Sequence, residues 1–496
     1  MKHVLFLAGL GFATLGAGLN VPRAVAADLA PDFVAALPRL ATGSAVVVPL
    51  PDGSSRRGDV RHVRREGDGW TRIGGALAGG GSFAFSTRDG AMAGLVQLPR
   101  EGRAWQIRRQ PNGAHGFVER RLGEIVCVGM PRREGFAERA GEADANAVPI
   151  LDSRPGASAV LYLDFDGATV TDPLWDDGNT IVAPRARLSN NAIKKVWARV
   201  AGDYAAFNVD VSTDANRYAN ALIGSRIRAI ITRNDAAAPG AGGVAYLDSF
   251  AHDPQFGFSA DIPCWVFEDS AVDGCAEALS HELGHTLGLN HDGRELPRGH
   301  EEYYAGHGFG ATGWAPIMGV AYYRRLSQWS KGEYENANNQ EDDVTIIAGA
   351  ANGFGFIADE AGGTTGNAAD LTVAGLIVNQ PGVIRRDTDI DVFTFTTNGG
   401  KLAVRVKPND GEANVDLLLE LLDSAGAIVK SNNPKGGLSA EIERTLAAGT
   451  YYLRVSGTGK GDPLGSGYTN YGSIGAYRVV GKIKGLAGAP ASGPTE

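Results

Sequence analysis

Residues 281–292 read His-Glu-Leu-Gly-His-Thr-Leu-Gly-Leu-Asn-His-Asp, and this run restricts the fold more than any other part of the chain. Positions four apart on a helix share a face, so a helix here aims His281 and His285 at one point. Glu282 sits beside that pair, one position on, where a carboxylate reaches water at a metal without ligating the metal. Gly288 follows the apolar Leu287 and takes the left-handed conformation that ends a helix. The chain then turns back and delivers His291 as a third imidazole. Three nitrogens leave a tetrahedral ion one open position, the arrangement of a hydrolytic zinc site. The fold must supply a helix, a sharp stop and a return, all around one point.

As H-E-x-x-H-x-x-G-x-x-H-D, the run resembles the signature of the metzincin metalloproteases, and the His291-Asp292 pair is most similar to their reprolysin-like branch. The resemblance implies zinc held by His281, His285 and His291, with Glu282 as general base. Asp292 is expected to fix the loop after the third ligand. Such proteins carry a methionine turn beneath the metal. Trp314-Ala315-Pro316-Ile317-Met318-Gly319 resembles it, and Met318 is the only methionine beyond position 150. The astacin and serralysin branches place a tyrosine two positions after that methionine. Val320 stands there in this chain, so Tyr322 and Tyr323 are expected to pack rather than react. His252, His300 and His307 are assigned no role.

At 496 residues the chain has room for two or three domains. Lys2 and His3, an apolar stretch from Val4 to Leu19, and Ala24-Val25-Ala26 read as a signal peptide over residues 1–26, implying a secreted protein. No other segment is apolar enough to cross a bilayer. Residues 27–150 hold 17 Arg, no Lys and 14 acidic residues, while residues 151–496 carry a net −14. A basic leader before an acidic enzyme fits a pro-domain that docks partly by charge. Nucleic-acid binding is not indicated, because the stretch from Arg56 to Arg65 lacks interleaved aromatics. Short apolar runs at Ala45–Val48, Ser82–Phe85, Gly94–Leu98 and Ala104–Ile107, set between Gly-rich turns, make the pro-domain β-rich. The segment from Arg132 to Arg154 reads as an exposed linker where maturation occurs.

Residues 151–345 are expected to form the catalytic domain, an α+β fold with a mixed twisted sheet and the zinc helix. Val160–Phe165, Val209–Val211, Ile227–Ile231, Gly243–Leu247 and Pro263–Phe267 read as strands. Ile193, Val196, Trp197, Val200 and Tyr204 mark one face of a helix. The resemblance implies that the penultimate strand, Gly243, Val244, Ala245, Tyr246 and Leu247, is an exposed edge that pairs with substrate backbone. Of three cysteines, Cys264 and Cys275 flank the entry to the zinc helix, where a disulfide would pin strand to helix. Cys127 is left over. Its context, Cys127-Val128-Gly129-Met130-Pro131, resembles the pro-segment cysteine switch of matrix metalloproteases and reprolysins, with an extra residue before the Gly. The switch implies a thiolate in the open zinc position, making the pro-domain an intramolecular inhibitor.

Residues 346–372, rich in Gly, Ala, Thr and Asn, read as a linker. Residues 373–485 read as an all-β sandwich, followed by a flexible tail at 486–496. Thr388–Phe393, Ala448–Val455 and Tyr468–Tyr477 resemble the bacterial pre-peptidase C-terminal domain. Such domains accompany secreted proteases and some bind calcium. Asp387, Asp389, Asp391 and Asp416 are candidate calcium ligands. A chain ending near Gly355 is expected to remain active. The expectation is thus a secreted zinc endopeptidase made as a zymogen, acting on proteins or peptides. The alternative is an exported matrix- or surface-binding protein on a protease-like scaffold.

Overall fold

The computed structural model describes residues 24–65, 69–110, 112–127, 129–132, 147–251, 262–267, 269–409 and 414–486. Most of the expected leader, most of the maturation segment, His252 and the tail beyond Leu486 lie outside these. In the N-terminal domain, β1 (Ala24–Asp28), β2 (Ala45–Pro49), β3 (Ser55–Arg65), β4 (Thr71–Leu77), β5 (Ser82–Arg88), β6 (Ala91–Leu98), β7 (Arg103–Arg109) and β8 (His115–Arg121) form one antiparallel sheet, ordered β1-β8-β7-β6-β5-β4-β3-β2. Asp89 and Gly90, both at positive φ, form the two-residue turn that joins β5 to β6 with matching twist. The Arg-rich stretch is strand β3, paired on both sides. One sheet face, with Phe83, Phe85, Val96 and Trp105, closes a core under α1 (Pro31–Ala36) and Leu37. The expected leader cleavage site falls on β1; cutting after Ala26 would remove the pairs Ala24↔Val118 and Val25↔Phe117 and leave Asp28↔Gly116.

The second sheet runs β13-β10-β14-β16-β15-β9. Its members are β9 (Met130–Pro131), β10 (Ala159–Asp164), β13 (Val209–Ser212), β14 (Arg226–Ile231), β15 (Ala241–Val244) and β16 (Cys264–Val266), with a separate hairpin of β11 (Ala168–Thr171) and β12 (Thr180–Ala183). β10, β13, β14 and β16 are parallel, and β15 is antiparallel to β16. The strand expected at Gly243–Leu247 starts two residues earlier and continues past Val244 as a single bridge at Tyr246. β9 belongs to this sheet, so the N-terminal domain ends at Arg121 and residues 125–131 are part of the middle domain's architecture. Against the sheet pack α2 (Asn190–Asp203), capped by Ser189 and buried through Ile193, Val196 and Val200, and the almost wholly buried α4 (Val272–Thr286). A short α3 (Ala215–Asn220) lies between them in sequence.

Two short ribbons follow: β17 (Arg294–Leu296) with β18 (Gly299–Glu301), and β19 (Trp314–Pro316) with β20 (Leu326–Gln328). After α5 (Asp343–Ile347) the expected linker is instead a packed strap. Asn352 donates its amide to the Leu287 carbonyl at the end of α4. Phe354 sets its ring edge-on to Phe250, Phe356 stacks on Phe207, and Asn208 N–H donates to Gly355. Small residues read as flexible because they lack apolar periodicity; here they allow close approach and two aromatic rings supply the burial.

Ten strands between Ala369 and Ile483 form two five-stranded sheets, the expected sandwich. It is docked tightly on the middle domain. The Gln328 amide donates to Asn414 O at 2.7 Å and Ser473 Oγ at 3.0 Å, while its oxygen accepts from Trp314 Nε1. Tyr471 donates to Asp342 and accepts from Val344 N–H at the start of α5. One buried apolar cluster runs without a break from α4 through Trp329 and Phe354 into the sandwich. No helix among the described residues is long and apolar enough to cross a membrane.

Candidate metal centre

His281 and His285 lie one turn apart on α4, 0% and 1% exposed. Gly288, at φ +101°, lets Leu289 N–H bond back to Gly284 O and closes the helix. The chain returns and sets the His291 ring 5.4 Å from His281 and 4.7 Å from His285. Ring nitrogens of all three lie within 4.8 Å of one another. Each Nδ1 faces an acceptor. His281 meets Ile317 O at 2.9 Å, His285 meets Leu289 O at 2.7 Å, and His291 meets a Glu302 oxygen at 2.5 Å. Carbonyl and carboxylate oxygens only accept, so each Nδ1 carries a proton and each Nε2 is the nitrogen left for the centre. Burial pushes His281 down to about 3 and His285 well below the usual histidine range, so both are neutral at neutral pH.

The donor set fits zinc. Nε2 of His281 and His285 stand 3.0 Å apart, against about 3.3 Å for two ligands at tetrahedral zinc. His291 Nε2 is buried without a hydrogen-bond partner. The Met318 turn forms the floor. Gly319 N–H closes it on Pro316 O, and Ile317, whose carbonyl orients His281, is held by Gln328 O. Met318 sulfur would lie 2.6 Å from any Cβ on Gly284, so only glycine fits there. Asp292, fully buried, receives the Tyr334 hydroxyl, while its backbone bonds Met318 and Tyr304. That is the loop-fixing position expected of it.

Glu282 is 0% exposed and its Oε1 has no partner; burial holds its carboxyl well above the ordinary range. It lies against β15 so closely that a Cβ on Gly243 would come within 2.5 Å of Oε1. Along that strand run residues 125–127 and 129–131. Cys127 N–H donates to Ala245 O, Leu247 N–H donates to Ile125 O, and Gly243 and Ala241 pair with Met130 and Pro131. The strand expected to be an exposed edge is instead paired on both sides, with β16 on one and β9 on the other. Cys127 is buried, with its thiol donating to Glu282 Oε2 at 3.4 Å and accepting from Ala245 N–H. Cys127, Glu282 and His285 present donor atoms within 4.8 Å of one another. Burial, then the Glu282 carboxylate, pushes the thiol up.

Cys264 and Cys275, expected to form a disulfide, are both buried and not joined by one. Cys264 faces the Glu282 end of α4, where that carboxylate raises its pKa further after burial. Cys275 lies seven residues earlier, about 10 Å along the helix axis. Sequence proximity to the helix start did not reveal which turn the strand faces.

Sequence reasoning also passed over Glu302, Tyr303 and His300. The hairpin β17–β18, signalled only by its Pro297-Arg298-Gly299 tip, folds them back over the centre. Glu302 holds His291, and that hydrogen bond draws its carboxyl down to about 2. His300 Nε2 bonds the other Glu302 oxygen at 2.8 Å. The Tyr303 ring lies 4.4 Å from that of His291. Tyr322 packs as expected, buried, with its hydroxyl beside Gly242; Tyr323 is exposed. His307 bonds Tyr304 and the sandwich carbonyl of Gly467. A cavity of about 700 Å³ opens beside the centre, lined by Cys127, Asp248, His285, His291 and Glu302.

The acidic cluster expected in the sandwich is differently composed. Asp389 and Asp391 meet Asp359, and the Arg385 guanidinium bonds both Asp359 and Asp389. Arg385 thus supplies the counter-charge that a calcium ion would bring. Asp391 Oδ2 accepts from Tyr477, and burial pushes Asp391 up to about 8. Asp387 sits apart beside Lys331, and Asp416 takes the Tyr468 hydroxyl.

Comparison with known proteins places one region. Residues 389–457 match the family model of the bacterial pre-peptidase C-terminal domain. No curated protein matches the chain. Among solved structures, the pre-peptidase C-terminal domain of collagenase from Bacillus anthracis is 18% identical, covering 22% of this chain and 91% of its own, with a TM-score of 0.16. The Yersinia pseudotuberculosis-derived mitogen is 14% identical, covering 23% of this chain and 97% of its own, with the same TM-score. Residues 389–457 are thus a pre-peptidase C-terminal domain.

Proposed function

We propose that the chain is an exported zinc-dependent endopeptidase made as a latent precursor, as its resemblance to the metzincins implies. One observation carries the reading: three imidazoles, each tied through Nδ1, converge beside a buried carboxylate with an unpartnered oxygen, against strand β15, whose outer side is covered by β9 and the chain just before it. Zinc, held by His281, His285 and His291, supplies Lewis acidity to the scissile carbonyl and to attacking water. Glu282 Oε1 accepts the proton from that water and returns it to the departing amine. The edge from Gly243 to Leu247 pairs with substrate backbone once residues 125–131 leave it, which fixes the scissile bond over Glu282. Met318 and Ile317 hold the floor, and Glu302 fixes the His291 ring. While residues around Cys127 stay on that strand, Cys127 shields the centre, with its thiol on Oε2 of the carboxylate that must move protons. The pre-peptidase C-terminal domain supports a peptidase context and export.

The test is metal content together with hydrolysis of a quenched fluorescent peptide by processed protein. One zinc per chain is expected, with activity lost to o-phenanthroline and restored by zinc. Glu282→Ala should keep the zinc and lose activity by several orders of magnitude. Full activity in that variant would remove Glu282 from the role of base, and a processed chain that binds zinc but hydrolyses nothing would favour the binding-scaffold alternative.

A further inference from the structure

The N-terminal sheet and the middle sheet meet face to face, and the contact is built as an interface between two finished bodies. The N-terminal domain has its own core on the far side of its sheet, around Phe83, Val96 and Trp105. Its near face mixes apolar and polar side chains: Ala84, Leu95 and Ala104 are 3%, 0% and 0% exposed, with Ser82, Gln97 and Gln106 buried around them. They close one apolar cluster with Ile230, Val244, Trp175 and Trp265 of the middle domain. At its centre the Gln97 amide donates to the Tyr246 hydroxyl at 2.7 Å, and Tyr246 donates to Leu174 O at 3.0 Å. Separation strips the Gln97 amide of that partner.

A second foothold lies at the other side of the sheet. Arg61 donates to Asp177 O and to Asn179 Oδ1, and His62 meets Gly178 O at 3.0 Å. Gly74 sits so close to Pro173 that a Cβ would fall 2.1 Å from the proline's own. Two separated footholds around an apolar centre resist both sliding and rotation. The docking is therefore one of apolar fit and hydrogen bonds, with Arg61 meeting a backbone carbonyl and an amide oxygen rather than acidic side chains.

We infer that the N-terminal domain stays seated on the catalytic sheet as a non-covalent subunit after the chain is cut between Arg132 and Ala147, so that cutting alone does not unmask the centre. The retention stands on the interface; its consequence for latency rests on the peptidase reading above. Residues 125–131 remain strung from the seated domain through Leu122–Glu124, beside the edge strand. Activation then requires a second event, destruction or displacement of the N-terminal domain.

The experiment inserts the recognition site of an unrelated sequence-specific protease between Arg132 and Ala147 of the full chain, in the Glu282→Ala background to exclude self-digestion. After nicking, gel filtration and native mass spectrometry should show both pieces as one 1:1 species at about micromolar concentration. Ala84→Arg, which faces away from the N-terminal domain's own core, should release the pieces, with each retaining a cooperative melt. Gln97→Ala, a milder change, should raise the dissociation rate at least about tenfold. Separation of the wild-type pieces in native buffer overturns the inference, as does a nicked Ala84→Arg or Gln97→Ala chain that holds together as firmly as wild type. Neither readout uses catalysis, so the interface can fail while the peptidase reading stands, and the reverse.

Discussion

Gly243 tests the centre more sharply than a ligand does, because replacing it removes no chemical group. In Gly243→Ala the new methyl would lie 2.5 Å from Glu282 Oε1, 2.7 Å from its Cγ and 2.9 Å from its Cδ. Ordinary contacts of this kind sit at about 3.5 Å, so carboxylate and strand must part by about 1 Å. A displacement of that size at a reacting group costs about 100-fold in rate, or about 2.7 kcal/mol of transition-state stabilisation. The ligands are untouched, so zinc content should remain one per chain. Steady-state hydrolysis of a fluorogenic peptide by processed enzyme reads the outcome. A fall confined to kcat means that Glu282 has moved; a rise in KM means that the edge strand has moved. An alanine variant with full zinc and kcat/KM within about threefold of wild type would refute the placement of Glu282 against this edge.

Three further outcomes are expected. Cys127→Ser should process itself faster than wild type in a mass-spectrometric time course, though not instantly, because the backbone bonds of Cys127 and Ile125 to the edge survive; equal latency would reject the thiol's role. A chain ending at Ala348 should fail to fold, since it loses Phe354, Phe356 and the Asn352 cap. Burial of Phe354 alone is worth about 1.5–3 kcal/mol against a total stability of about 5–15, and the half-buried Phe356 adds to it; a soluble, cooperatively melting truncation would contradict this. Asp391, raised to about 8 by burial, is favoured neutral in the folded state. Its contribution is full below the unfolded value near 4 and is lost as pH rises toward 8, by at most about 1.4 kcal/mol per pH unit. Asp391→Asn should flatten the fall in melting temperature between pH 5 and 8, and an unchanged slope would place the titration elsewhere.

The histidines, Glu282, Gly288 and Met318 were legible in the sequence because their chemistry is bound to fixed spacing along one helix and one turn. About half of the strands in the two flanking domains were legible as apolar runs or alternation, such as β2, β5, β6 and β7, while the Arg-rich β3 was hidden by its charge. What escaped were relations set by tertiary contact. Glu302 and Tyr303 reach the centre only because a short hairpin folds back. The strap at residues 348–357 looks like a linker until Phe354 and Phe356 are seen in their pockets. Cys264 and Cys275 are near in sequence, yet the strand presents one of them to a later turn of the helix. The Cys127 context announced a reach to the centre, but nothing local announces that Ile125, Met130 and Pro131 pair along a strand more than a hundred positions away.

The buried amide of Gln328 makes the sandwich hard to exchange. Through Ile317 it stands two hydrogen bonds from His281, and on its other side it meets Asn414 O and Ser473 Oγ. A different β-sandwich grafted after the strap must offer a carbonyl and a hydroxyl at those two points. Without them the amide is left unsatisfied in the interior, at roughly 1–3 kcal/mol, beside the strand that orients the first ligand. Modular in sequence, the C-terminal domain is in physical terms an outer wall of the candidate metal centre.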